Sequence, residues 1–369
     1  MSVVTAHINS IGTANPPHGV HDAFVHFAKA SLKDDKARRL FGRMVERAGI
    51  NQRYSFLEPV MLPDGTVTDR DGFYGAGEWA STSLRMARYE RDAPALAVAA
   101  ICALDPGIAS AGITHLIVAS CTGFMAPGLD QAIVAQAGLD PRIERTVVGF
   151  MGCYAAVNSL RLAHHIVRST PDARVLVVTL ELCTLHFQRT DDLEKLLAML
   201  LFGDGAAAAL VTAEPHGIAL KDFRAETIAG TADAITWAIG NQGFHMHLGG
   251  EVPARIAEAL RHQRERNLPD GLLRGQAPEA FSLWAVHAGG RTVLDAVQQG
   301  LALRGDSLEP SRAVLRAFGN MSSATLMFIL ARMLDQCREE DLPQPGLAMA
   351  FGPGMAAESF RFTLLGRRA

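Results

Sequence analysis

Cysteine is scarce in this chain of 369 residues: five, at positions 102, 121, 153, 183 and 337. They are odd in number and widely spaced, and no CxxC pair occurs. Neither a disulfide framework nor a zinc site is expected, whereas free thiols in a reducing cytoplasm are. An excess of charge of one sign is also missing. The net charge of −3 argues against nucleic acid as the main partner. No apolar run approaches the length of a membrane span. The first residues lack the basic and long apolar regions of a secretory leader. A Gly-x-Gly-x-x-Gly run with a following acid is absent, so a nicotinamide or flavin site has no support. Low-complexity linkers and short-period repeats are lacking too. With 49% hydrophobic and 20% charged residues, the chain can build one large domain or two closely packed halves.

What is present alternates strand-like and helix-like segments, which points to α/β layers. Residues 23–48 read as one helix carrying Arg38, Arg39, Arg43 and Arg47 near helical spacing. Residues 94–104 look like a buried helix. Strands are expected at 114–120, 145–150, 174–180 and 206–212, and helices at 129–137 and 191–202. After Glu214-Pro215 the pattern starts again. A helix is expected at 252–264 and strands at 281–286 and 346–351. Helices open beyond Gly290 and beyond Asn320. Two halves follow from this, 1–213 and 214–369, as a duplicated α/β core with a site between them.

Cys153 carries the most information. In Val147-Val148-Gly149-Phe150-Met151-Gly152-Cys153-Tyr154-Ala155-Ala156 a strand ends, the chain turns, and cysteine opens a helix. Free N–H groups at a helix N-terminus favour a thiolate. A buried core cysteine is the plainer reading, but the turn and the small neighbours favour a nucleophile. His287 stands before paired glycines, and Asn320 lies in Gly319-Asn320-Met321-Ser322-Ser323 before an apolar run. Each alone is ambiguous. Cys, His and Asn together suggest covalent acyl chemistry. His245 and His247 resemble half of a metal site, yet no third ligand is apparent, so no metal is expected.

Gly152-Cys153, His287-x-Gly289-Gly290, Gly319-Asn320-Met321-Ser322-Ser323-Ala324, Leu201-Phe202-Gly203-Asp204-Gly205-Ala206 and Phe351-Gly352-Pro353-Gly354 together resemble the type III polyketide synthases of the chalcone and stilbene synthase family. The likeness runs from Arg43-Met44 to Gly354. It implies the thiolase fold, a layered αβαβα core, and a homodimer. It also implies that Cys153 holds an acyl group taken from an acyl-CoA. A protonated His287 would keep the sulfur ionised. His287 and Asn320 would donate hydrogen bonds to the enolate formed when malonyl-CoA loses carbon dioxide. No metal or redox cofactor is implied, since coenzyme A thioesters are the substrates.

By the same resemblance Phe202 is a gatekeeper and Phe351 scaffolds the site. Arg43, Arg47, Gly289 and Gly290 would receive coenzyme A. A further basic position of plant members is Leu40 here. Cys121, Thr122, Glu181, Cys183, His186, Trp237, Met246 and Ser322 would line the substrate cavity. The run Glu181-Leu182-Cys183-Thr184-Leu185-His186-Phe187 and the pair Thr236-Trp237 look like bacterial members that make alkylpyrones and alkylresorcinols. Trp237 should leave little room for an aromatic starter and suit a fatty one. Glu181 with Ser322 and a water would support aldol closure. Cys121, a weak hydrogen-bonding group, weakens that network and favours a lactone. Ala126 matches the position that reaches across the dimer. Alternative expectations are a chalcone- or stilbene-type synthase with an aromatic starter, a ketosynthase fed by an acyl carrier protein, and a silent thiolase-fold partner.

Overall fold

The computed structural model describes residues 4–75 and 79–366. The outermost residues of the two expected halves, 1–3 and 367–369, lie outside this range. The first half runs β1 (His7–Ala14), β2 (His18–Gly19), α1 (His21–Ser31), α2 (Asp35–Ala48), β3 (Tyr54–Ser55), β4 (Pro59–Met61), β5 (Val67–Asp69), α3 (Thr82–Leu104), β6 (His115–Ser120), α4 (Leu129–Gln136), β7 (Glu144–Gly149), α5 (Ala155–Ser169), β8 (Val175–Leu182), α6 (Leu193–Leu201) and β9 (Asp204–Thr212). The second continues with β10 (Gly217–Thr227), the hairpin β11 (Ile235–Gly240) and β12 (Gly243–Leu248), α7 (Val252–Arg266), β13 (Leu283–Val286), α8 (Arg291–Leu301), α9 (Glu309–Phe318), α10 (Ala324–Gln336), β14 (Gln344–Gly352) and β15 (Ala356–Gly366).

Nine strands hydrogen-bond in the order β13-β14-β15-β10-β1-β9-β8-β6-β7. The pairing repeats. β1 and β9, then β9 and β8, are antiparallel, and β8 runs parallel to β6. Likewise β10 and β15, then β15 and β14, are antiparallel, and β14 runs parallel to β13. β1 and β10 join the two sets through only the pairs His7–Ala219 and Ile8–Ile218. β7 is the outermost strand of its edge.

The burial explains the layers. Every residue of β8 (VLVVTLEL) is buried, as a strand covered on both faces requires. In α10 all residues from Ala324 to Ala331 are buried as well, so it is a core helix rather than a surface one. α5 and α10 touch each other and strands of both sets, whereas α3 and α4 pack together against the first set and α7, α8 and α9 lie with the second.

Several sequence-based boundaries move. The helix expected over 23–48 is two, because Asp34 leaves the helical conformation and caps α2, accepting from the Ala37 N–H at 2.8 Å. α3 begins at Thr82, twelve residues before Pro94. Proline there removes one helical hydrogen bond, but Tyr89, Ala93, Leu96 and Ala97 on both sides of it are buried in the same cluster. Sequence pattern gives no helix at 309–318, where α9 lies.

Candidate active site

The turn before α5 is built by steric necessity. Phe150 has φ 57° and Gly152 has φ 77°. A Cβ on Gly152 would lie 2.3 Å from Pro353 Cδ, so only glycine fits. Residues Gly152–Tyr154 form a short 3-10 turn that runs into α5. Cys153 is 9% exposed. The Gly152 N–H donates to Cys121 Sγ at 2.9 Å.

The second half brings two segments to this turn. His287 follows β13, and its N–H donates to the Met349 carbonyl at 2.8 Å. Its ring is buried, and neither ring nitrogen has a hydrogen-bond partner among the described residues. Asn320 lies between α9 and α10, after Gly319 at φ 69°. The Asn320 N–H donates to the Leu201 carbonyl at 2.8 Å, and the Gly203 N–H donates to the Asn320 carbonyl at 3.0 Å. Asn320 Oδ1 accepts from the Ser322 N–H at 2.8 Å. Asn320 Nδ2 donates to the Gly289 carbonyl at 3.2 Å, beside the His287 turn. The side chains of Ser322 and Asn320 also interact with the Cys153 sulfur. Cys153 and the His287 turn therefore flank one carboxamide. Ser322, at φ 47°, holds a backbone conformation that costs energy for a residue with a side chain.

Burial governs the charges. It pushes the Cys153 thiol up to about 12, opposed by Ser322, by its own N–H and by Asn320. It takes His287 down to about 3. An imidazolium standing alone is thus disfavoured.

A cleft with about 810 Å³ of empty space, part of it open to solvent, reaches the sulfur. Of the expected substrate-contact residues, Cys121, Thr122, Cys183, His186, Phe202, Trp237, Met246 and Ser322 line it with Cys153. Phe351 is buried at the end of β14 and is not on its wall. Glu181 is behind the wall. Its Oε2 accepts from the Cys121 N–H and from Thr122 Oγ1, both at 2.9 Å, and its Oε1 accepts from Ser323 Oγ at 2.5 Å. The serine that hydrogen-bonds Glu181 directly is Ser323, while Ser322 faces the cleft. Desolvation raises Glu181 to about 7.

His186 is a fixed neutral wall. Its Nε2 donates to the Thr122 carbonyl at 2.7 Å and its Nδ1 accepts from the Phe244 N–H at 3.0 Å. Its ring stacks on Phe244 with centroids 4.2 Å apart. Trp237 meets both rings edge-on, and its Nε1–H donates to the Cys121 carbonyl at 2.8 Å. Sequence reasoning missed Phe244, Met199, Lys195 and, as a wall residue, His245. Phe244 had a signal: it lies two residues before Met246, on the same face of β12.

Arg43 and Arg47 are exposed on α2, which packs against α6 and α8. Arg291 Nη1 donates to the Arg47 carbonyl at 3.3 Å, so the end of α2 lies beside the start of α8 just after Gly289-Gly290. Neither Arg43 nor Arg47 makes an ion pair among the described residues. No group of three or more His, Cys, Asp or Glu side chains among the described residues is arranged to hold a metal, His245 and His247 included. No helix of those residues is long and apolar enough to cross a membrane.

A duplicated α/β sheet that presents a helix-end cysteine to an asparagine and a histidine from its other half defines a thiolase-fold, acyl-transferring enzyme. The family model for chalcone and stilbene synthases, N-terminal domain, matches residues 2–215, and that for the C-terminal domain matches 220–365. The chain belongs to the chalcone and stilbene synthase family and is a type III polyketide synthase. It is similar to "Alpha-pyrone synthesis polyketide synthase-like Pks18" of Mycobacterium tuberculosis, 34% identical over 265 residues, which covers 70% of this chain and 67% of that one. It is also similar to bisdemethoxycurcumin synthase of Oryza sativa subsp. japonica, 33% identical over 96% of this chain and 91% of that one. Among solved structures, PKS-I of the brown alga Ectocarpus siliculosus superposes with a TM-score of 0.83 at 27% identity, covering 99% of this chain and 100% of that one. The C-terminal type III domain of Steely1 from Dictyostelium has the same fold, with a TM-score of 0.84 at 23% identity over 98% of this chain and 99% of that domain.

Proposed function

We propose that Cys153, His287 and Asn320 carry out an iterative decarboxylative condensation of malonyl-CoA onto a fatty acyl starter, ending in an alkylpyrone. The supporting observation is the Asn320 carboxamide between the sulfur and the His287 turn. Cys153 Sγ attacks the starter thioester as its proton passes to His287, and that proton leaves with the coenzyme A thiol. Malonyl-CoA then loses carbon dioxide, and the negative charge moves to its thioester oxygen. A carboxamide has two N–H donors. One is used by the Gly289 carbonyl; the other, on the Cys153 side, donates to this oxygen once the substrate is bound, with His287 as the second donor. The enolate carbon attacks the Cys153 thioester, a carbon–carbon bond forms, and the thiolate is released for another round. The first half, 1–213, supplies the sulfur, and the second, 214–369, supplies both donors. No metal or redox group takes part.

The fatty starter rests on the walls. Trp237, tied to Cys121 and packed on His186 and Phe244, narrows the cleft. Phe187 belongs to this cleft and also to a second apolar cavity lined by Phe24, Phe27, Leu57, Val67 and Trp79, which offers length to an alkyl chain. The pyrone rests on Glu181, whose carboxylate is taken by three donors behind the wall, a poor disposition for promoting aldol closure. The relative named for alpha-pyrone synthesis points the same way. Coenzyme A is assigned to Arg43, Arg47, Gly289 and Gly290, where the end of α2 lies beside the start of α8, with Phe202 as the gate and Phe351 behind it. A second copy is assigned to the β7 edge near Ala126, and the enzyme to the cytoplasm.

The test is purified protein with malonyl-CoA and either lauroyl-CoA or coumaroyl-CoA, without a carrier protein. Preference for lauroyl-CoA and a labelled-malonate product with the mass of an alkylpyrone are expected. Preference for coumaroyl-CoA overturns the fatty starter, and a resorcinol mass overturns the lactone.

A further inference from the structure

Arg53 is wholly buried, and no step of the chemistry above uses it. Its Nη1 donates to two carbonyls, Met199 at 3.0 Å and Phe202 at 2.7 Å. Its Nε donates to His21 Nδ1 at 3.2 Å. The guanidinium lies over the ring of Phe24, 4.8 Å from its centroid, and 5.9 Å from that of Phe187. Two glycines make way for its stem. A Cβ on Gly203 would be 3.1 Å from Arg53 Cβ, and one on Gly319 would be 2.7 Å from Arg53 Cγ.

These two glycines flank the strip that aims Asn320. Leu201, Phe202 and Gly203 bind the Asn320 backbone on both sides, in a parallel bridge between Phe202 and Asn320. Arg53 grips that strip by the Phe202 carbonyl, and its stem passes close to Gly319 next to Asn320. We propose that Arg53 is a positioning residue for Asn320 and Phe202, setting where the carboxamide donor sits when the malonyl enolate forms. A planar guanidinium can hold two carbonyls and an imidazole at fixed angles, which an ammonium cannot. The turn that carries Cys153 is held outside this strip, by the Gly152 N–H on Cys121 Sγ.

This inference rests on the roles proposed for Cys153 and Asn320, and it separates two half-reactions. Arg53→Lys should keep acylation of Cys153 by the starter, read by intact-protein mass, close to wild type. Malonyl-CoA decarboxylation should fall by roughly 10- to 100-fold, the cost of slightly misplacing an aligned group. Asn320→Ala should lose decarboxylation at least as strongly. The double variant should be little worse than Asn320→Ala alone, because the two changes remove one interaction. His21→Leu, which removes the Nε acceptor, asks the same question with a milder change should Arg53→Lys fail to fold. Equal loss of both half-reactions, unchanged decarboxylation, or additive losses in the double variant would overturn the proposal. A wild-type protein that takes up starter but shows no decarboxylation, or takes up none, overturns the reading of the site itself and this proposal with it.

Discussion

The Gly152 N–H donates to Cys121 Sγ at 2.9 Å, so the thiol of one cysteine holds the turn that carries another. Cys121→Ala leaves a buried N–H without a partner, at a cost of about 1–3 kcal/mol. A lower melting temperature and slower acylation of Cys153 are expected. Cys121→Ser keeps an acceptor and should recover most of both. Equal behaviour of the alanine and serine variants in thermal melts and acylation assays would remove the role assigned to this contact.

Burial disfavours a lone charge on either Cys153 or His287, so the proposed mechanism makes ionisation of the sulfur depend on the imidazole that takes its proton. His287→Gln removes that acceptor. Alkylation of Cys153 by iodoacetamide at pH 7 should slow by at least ~10-fold, and its rate should climb with pH without a plateau below pH 9. Unchanged alkylation kinetics would show that the helix end suffices alone.

Glu181 titrates at about 7 in the folded chain against an ordinary 4.5. Between these values the native state keeps a proton that the unfolded chain has lost, so stability falls as pH rises through this window and levels off above it. The difference in unfolding free energy between wild type and Glu181→Gln should therefore shift against wild type by on the order of 3 kcal/mol from pH 4 to pH 8. Urea denaturation at both pH values measures it. A pH-independent difference would mean that Glu181 is ionised throughout.

β7 ends the sheet with Val147 at 55% exposure, near Phe124 at 47% and Met151 at 37%. An apolar, unpaired strand edge is a place for a second chain. With the proposed second copy seated on this edge, Val147→Lys should shift the protein from dimer to monomer in sedimentation velocity at micromolar concentration. A dimer of unchanged stability would place the contact elsewhere.

The parts of the site legible in sequence are those with a local cause. Gly152-Cys153 and Gly319-Asn320 announce themselves because a tight turn needs glycine at positive φ. The arginine face of α2 shows in its helical spacing. What stayed hidden depends on contacts between distant residues. Glu181 finds Ser323 across 142 positions and Thr122 across 59, and nothing near Glu181 distinguishes Ser323 from Ser322. Arg53 carries no motif. Its only trace is a pair of glycines, Gly203 and Gly319, that leave room for its stem. Pro94 misled the reading of α3, since burial on both sides of it outweighs the local penalty.

Cysteine and asparagine each precede a central helix, α5 and α10, and these two helices touch. Both begin with small side chains, Ala155 and Ala156 in one and Ala324 in the other, all inaccessible to solvent. The gap across which carbon–carbon bonds are to form is thus gauged by how closely two rods lie together. A change that pushed α5 away from α10 would spread the reacting atoms apart while leaving every reactive side chain intact. Variants sought for longer or bulkier products are better made in the walls at Trp237 or Phe187 than along this joint.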